Sequence, residues 1–127
     1  KLAVKGSTVI ASAGQGHTRG QASMLLIDSY INQSVVVLAA DATKVSNHFL
    51  FFDVSRRYTE LRRVSDSSSS RGSLTTKIVM SLPVILPPID IINYFGLLVD
   101  PIIEKITIAK QENIDLNGEH NGLFRIS

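Results

Sequence analysis

A long apolar segment, residues 89–109, constrains this chain more than any other feature. It follows a proline-rich corner, in which Pro83 ends one element and Pro87 and Pro88 fix the direction of the next. Apolar residues with helical spacing then cover much of the circumference of the segment, which is more surface than one small sheet buries. The sequence therefore predicts a protein whose core is completed by a second copy of itself.

The length of 127 residues predicts one domain, residues 1–127. Charge is unevenly distributed along it. Residues 1–72 carry nine basic and five acidic side chains, and residues 73–127 carry four basic and six acidic ones. This division fits a layered protein with a basic sheet half and an acidic helical half, and ordinary scatter of surface charge is the alternative.

Several kinds of chemistry are excluded or not indicated. The chain contains no cysteine, which excludes disulfides, thiolate metal sites and cysteine catalysis. Its three histidines are far apart in sequence, and no catalytic motif is present, so we expect neither an enzyme nor a bound cofactor. The apolar stretch 78–99 contains three prolines and Asp90, which argues against a membrane-spanning helix, and we expect no signal peptide.

The first part of the chain predicts a β-hairpin. Residues 8–12 and 18–27 have strand character, and Gly14 and Gly16 lie between them, where a tight turn needs positive φ angles. A phosphate-binding loop is the alternative. The spacing of Gly14, Gly16 and Gly20 does not match a dinucleotide fingerprint, and no helical pattern follows, so the hairpin is favoured.

Further strands are predicted at 34–39, 48–62 and 74–82, with a serine-rich loop at 65–72. After the prolines we expect two short helices that meet at Asp100, with Asp100 as the N-cap and Pro101 as the first helical residue. The tail, residues 113–127, is open to several interpretations, including a small hairpin and an arm onto a neighbouring molecule. The dimer interface is predicted on the apolar helical positions Ile92, Phe95, Leu98, Val99 and Ile102.

The strongest polar signal is a pair of arginine doublets. Arg56 and Arg57 precede Tyr58, and Arg62 and Arg63 follow shortly after. Guanidinium groups beside an aromatic ring on a sheet suit RNA, because phosphates take the charge and unstacked bases stack on planar groups. An edge strand protected by charge is the equally weighted alternative.

Taken together, these pieces resemble a coat protein of the single-stranded RNA bacteriophages, of the levivirus type. The resemblance is strongest over residues 34–112. It rests on the hairpin around residues 14–16, the strands at 35–38 and 49–57, the loop at 65–72, the strand at 75–83, and the two terminal helices.

The resemblance implies an α+β fold with an N-terminal β-hairpin (1–33), a five-stranded antiparallel sheet (34–83), two C-terminal helices (88–112) and a tail (113–127). The helices of one subunit would lie across the sheet of its partner, which makes an interlocked, obligate homodimer with a continuous sheet. Dimers would assemble into an icosahedral capsid that packages single-stranded RNA, and the sheet would bind an RNA hairpin as a translational repressor. The protein would then be located in the virion, assembled in the cytoplasm of a bacterial host, without a membrane partner.

The same resemblance implies two sets of site residues. Those expected to bind RNA are Lys44, Ser55, Arg56, Arg57, Thr75 and Lys77. Those expected to form the loop between dimers are Ser67, Ser68, Ser69, Ser70, Arg71 and Gly72.

Three other functions are compatible with the sequence. The first is a dimeric RNA-binding module that forms no capsid. The second is a small ligand-binding or enzymatic α+β domain with a pocket between sheet and helices. The third is a self-assembling shell protein that holds no nucleic acid.

Overall fold

The structure is a computed structural model that describes residues 1–14, 16–67, 72–84, 86–117 and 123–125, with the backbone alone from residue 114 onward. The fold is mixed α+β. In chain order the elements are β1 (Leu2–Ala3), β2 (Thr8–Ala11), β3 (Ala22–Leu25), β4 (Ser29–Tyr30), β5 (Val35–Leu38), α1 (Asn47–Ser55), α2 (Tyr58–Ser67), α3 (Thr76–Met80), α4 (Ile89–Asn117) and β6 (Leu123–Arg125).

The described strands form two antiparallel sheets, one of four strands in the order β5-β2-β3-β6 and one of two strands, β1 and β4. The five-stranded sheet expected at 34–83 is therefore not what the described chain forms. β2 and β3 pair across the loop that contains Gly14 and Gly16, with Ile10 opposite Ala22. The tail contributes β6, which pairs with β3.

Alternation along the strands gives the larger sheet two covered faces. Ile10, Met24 and Val36 lie on the face that packs against the helices. Val9 and Leu25 lie on the opposite face, beside Ala3 and Ile31. This double coverage explains the unbroken apolar run of β5, although β5 lies at an edge of the sheet rather than in its centre.

The strand predicted at 48–62 is wrong, because these residues form α1 and α2. Ser46 caps α1, with its side-chain oxygen accepting a hydrogen bond from the Phe49 N–H at 3.1 Å. Asp53 pairs with Arg56 at 2.6 Å and with Arg57 at 3.3 Å, contacts that the i,i+3 and i,i+4 spacing of a helix brings together. Local capping and ion pairs thus outweigh the strand propensity of the aromatic run.

The strand predicted at 74–82 is also wrong, because α3 forms there. The Thr75 hydroxyl accepts a hydrogen bond from the Ile78 N–H at 3.2 Å and caps the helix. Leu74 is buried in the main core, and Ile78 packs against that core. Of the positions that alternation assigned to one strand face, Leu74 and Ile78 contact the core, while Met80 is 71% exposed.

The loop predicted at 65–72 is shorter than expected, since α2 continues through Ser67. Residues 68–71, which include Ser68, Ser69, Ser70 and Arg71, lie outside the described residues. Gly72 is held close to the end of α2, where its N–H donates to the Ser65 carbonyl oxygen at 2.8 Å.

The two helices predicted to meet at Asp100 form one continuous helix, α4, with Pro101 inside it. Pro101 has no N–H to donate to the preceding turn. Asp100 does not start a new helix. Its carboxylate instead pairs with the Nδ1 atom of His48 on α1. Within the described residues, no helix is long and apolar enough to span a membrane.

Candidate functional site

The most prominent surface feature is an exposed apolar stripe along the first half of α4. Ile91, Tyr94, Leu98 and Ile102 are spaced by three or four residues, so they fall within an arc of about 80° on the helix. Each is more than half exposed, at 57%, 63%, 56% and 58%. Leu97 is 76% exposed and extends the stripe on one side. This exposed apolar stripe is therefore a candidate interaction site.

The adjacent face of α4 is buried within the protomer. Ile92 is 1% exposed and Ile103 is 4% exposed. Phe95 contacts the rings of Phe49 and Phe52 on α1, with ring centroids 6.0 and 5.9 Å apart. The helix is therefore already anchored to its own subunit, and the exposed stripe is not needed for that anchoring.

The five residues predicted for the dimer interface divide between these two faces. Ile92, Phe95 and Val99 face the interior of the protomer, where Val99 packs against the main core. Leu98 and Ile102 lie on the exposed stripe. The exposed stripe also contains Ile91, Tyr94 and Leu97, which the sequence prediction did not include. The 3.6-residue period separates the faces of the helix, but it does not show which of them packs against the rest of the protomer.

The residues predicted to bind RNA lie on helices and turns rather than on a sheet face. Arg57 is buried and pairs with Asp53 at 3.3 Å and Glu60 at 3.2 Å. Arg56 is exposed and also pairs with Asp53. The Ser55 hydroxyl is buried, and no described atom makes a hydrogen bond to it. These three side chains support the helices and do not form a common surface.

The other three residues predicted to bind RNA, Thr75, Lys77 and Lys44, differ in their surroundings. The Thr75 hydroxyl is used to cap α3, while Lys77 is exposed on α3. Lys44 is exposed in the turn that begins at Asp41. Hydrogen bonds from the Thr43 hydroxyl and N–H lower the pKa of Asp41 below its ordinary value, and Lys44 adds to this effect. The ionised Asp41 in turn offsets part of the Lys44 charge.

A buried arginine that the sequence analysis did not single out connects the hairpin to α2. Arg19 donates to the Gly72 carbonyl oxygen at 2.7 Å and to the Asp66 carboxylate at 2.6 Å. Arg62 donates to the Arg19 carbonyl oxygen at 2.8 Å and lies 5.5 Å from the ring centre of Tyr58. Arg19 and Arg62 therefore fix the hairpin loop against α2, which leaves Arg63 as the exposed cation of the second doublet.

A cavity of about 650 Å³ lies between the C-terminal end of β3, the start of α1 and the middle of α4. Its walls combine apolar and polar side chains, among them Met24, Ile103, Lys5, Glu104 and the His48–Asp100 pair. No group of three or more potential metal ligands occurs among the described residues. The cavity therefore has the dimensions of a small-molecule site, without a metal centre in the described chain.

Comparison with known proteins gives no relative. Neither a scan against models of protein families, nor a search of curated proteins, nor a search of solved structures returned a match. Functional inference consequently rests on the geometry of this chain.

Proposed function

We propose that this protein is a non-catalytic, self-associating protein that forms a homodimer through the exposed stripe of α4. The observation that carries the proposal is the exposure of Ile91, Tyr94, Leu98 and Ile102 on a helix whose other face is already buried. Removing such side chains from water contributes about 25 cal/mol per Å² of apolar surface. A second copy presents the same stripe, and an isologous interface uses one patch twice.

We further propose that these dimers are the units of a shell that packages single-stranded RNA. The excess of basic residues in positions 1–72 supports this second step, as do Lys44, Arg63 and Lys77, which are exposed on the turn before α1 and on α2 and α3. Within the described chain, none of the three lies within ion-pair distance of a carboxylate. Because the expected sheet face is replaced by helices, recognition would rest on phosphate charge rather than on a specific RNA hairpin.

The test is expression of the chain alone, followed by light scattering, negative-stain electron microscopy and the 260/280 nm absorbance ratio. Uniform particles with nuclease-protected RNA would support the whole proposal. Dimers that bind RNA without forming particles would favour an RNA-binding module. Particles without nucleic-acid absorbance would favour a purely structural shell. A monomer at micromolar concentration would refute self-association and everything proposed from it.

The cavity beside the His48–Asp100 pair favours a second candidate function, a small-ligand-binding domain. Its volume falls within the range of small-ligand sites, and its open side would leave part of a bound ligand in contact with solvent. A thermal-shift screen with a fragment library tests it. The candidate predicts a stabilising fragment whose effect is lost in Ile108→Trp, since Ile108 is an exposed residue of the cavity wall. No stabilising fragment, or an unchanged effect in Ile108→Trp, would reject it.

A further inference from the structure

We propose that α4 pairs with α4 of a second copy in antiparallel orientation, with the two helices crossing at Leu98. This inference rests on the proposed self-association and specifies its geometry. It follows from the order of apolar and charged residues along the stripe, together with the burial of the adjacent face of the same helix.

The apolar part of the stripe is nearly symmetric about Leu98. Tyr94 lies four residues before Leu98, and Ile102 lies four residues after it. A two-fold axis through Leu98 therefore places Tyr94 of one copy opposite Ile102 of the other, on both sides of the axis. The large ring meets the smaller aliphatic side chain twice, an arrangement in which bulky and small groups interdigitate.

The charges at the two ends distinguish antiparallel from parallel pairing. Ile91 lies seven residues before Leu98, next to Asp90, and Lys105 lies seven residues after it. Antiparallel pairing brings Lys105 beside the Asp90–Ile91 end of the second copy. Parallel pairing in register places Lys105 of one copy beside Lys105 of the other, and Asp90 beside Asp90. Like charges at such positions are destabilising. Asp90 and Lys105 are both exposed in the protomer, so both are available for this contact.

These ion pairs determine the relative orientation of the two helices more than they determine the affinity of the dimer. Exposed ion pairs contribute little to affinity, while opposed like charges select against wrong alignments. The apolar side chains between them supply the burial. A second copy of this chain is therefore the occupant that the stripe fits, since it carries the matching apolar length and the opposite charge at each end.

Cysteine trapping tests the orientation directly, because the chain contains no cysteine of its own. A disulfide requires Cβ atoms about 3.5–4.5 Å apart. Tyr94→Cys and Ile102→Cys would be prepared as separate full-length proteins, one with a small tag, mixed, mildly oxidised and run on a non-reducing gel. Antiparallel pairing predicts a cross-linked species of mixed composition and little cross-linking of either variant alone. Parallel pairing predicts the reverse and would overturn the inference.

Two controls separate this inference from the proposal on which it rests. Leu98→Cys should cross-link to itself, since it lies on the two-fold axis. If light scattering shows a dimer but Leu98→Cys does not cross-link, α4 lies outside the interface and the inference is wrong while self-association stands. If light scattering shows a monomer for the unmodified chain, both fail together.

Charge exchange provides an independent readout. Asp90→Lys and Lys105→Glu should each weaken the homodimer about fivefold in Kd, because each opposes like charges. An equimolar mixture of the two variants should recover the original Kd as a heterodimer. Lys1→Glu is the control, since Lys1 is exposed at the start of the chain, outside α4, and its reversal should leave Kd unchanged. Equal weakening by all three variants would show that the effect does not depend on the Asp90–Lys105 contact, and would contradict the antiparallel orientation.

Discussion

Phe95 on α4 meets Phe52 on α1 edge to face, with ring centroids 5.9 Å apart and ring planes at 84°. This contact, with the similar one to Phe49, fixes the long helix to its own subunit. It separates the two roles of α4, since one face stabilises the protomer and the other is free to bind a second copy.

Phe95→Ala should therefore reduce protomer stability rather than dimer affinity. We expect a loss of about 2 kcal/mol in the free energy of unfolding, because a half-buried ring and its aromatic contacts are removed. Urea unfolding at a fixed protein concentration measures it. Phe95→Leu is the matched control and should lose less, because most of the apolar volume remains. A loss of association without any loss of stability would contradict the assignment.

Leu98→Glu should have the opposite effect. A charge at the centre of the stripe should abolish the dimer at micromolar concentration, since it would bury an unpaired carboxylate twice in one interface. The folded protomer should keep its circular dichroism spectrum, because Leu98 is exposed within it. Light scattering and circular dichroism together measure both effects. A dimer that survives this change would show that the stripe is not the interface.

Arg57→Ala and Arg63→Ala should distinguish an arginine that stabilises the fold from an arginine that is proposed to bind RNA. Arg57 is buried between Asp53 and Glu60, so its loss should cost about 2 kcal/mol of stability. Arg63 is exposed, so its loss should leave stability unchanged and reduce the amount of RNA that copurifies. Urea unfolding measures the change in stability, and the 260/280 nm absorbance ratio measures the amount of RNA that copurifies. An unchanged RNA content in the Arg63→Ala, Lys77→Ala double variant would reject this RNA-binding surface.

Thr75 offers a test of its role as a helix cap rather than an RNA contact. Thr75→Ala removes the oxygen that accepts from the Ile78 N–H and should cost about 1 kcal/mol. Thr75→Ser keeps that oxygen and should be close to the original stability. Thermal unfolding of both variants measures the difference. Equal stability of the two variants, with RNA content lowered in both, would instead favour a direct RNA contact.

The sequence predicted the sheet side of the fold better than the helical side. The apolar runs at 8–11 and 35–38 coincide with strands, because β-branched residues and flanking turn residues act in the same direction there. Alternation along residues 48–62 predicts a strand, although apolar residues occupy both of its faces at the start. The structure gives the reason for that pattern, since Phe51 faces the core while Phe49 and Phe52 contact α4, and a helix covered on two sides is apolar on both.

The segment 48–62 also contains features typical of a helix, although the alternation of apolar residues favours a strand. Asp53, Arg56 and Arg57 have helical ion-pair spacing, and Ser46 has the position of an N-cap. The buried positions Phe51, Val54, Leu61 and Ser65 follow a helical period across the break between α1 and α2. The predicted interface residues all lie on α4, and they divide between its buried and its exposed positions. The choice of face depends on where α1 lies, which is a tertiary contact that no local pattern contains.

The central claim is that this chain associates with itself through α4, and the most direct measurement is multi-angle light scattering of the unmodified protein and of Leu98→Glu at the same micromolar concentration. The account predicts twice the chain mass of 13.9 kDa, or a larger assembly built from dimers, for the unmodified protein and a folded monomer for the variant. A monomer in both samples would contradict it, and so would an unchanged assembly in the variant.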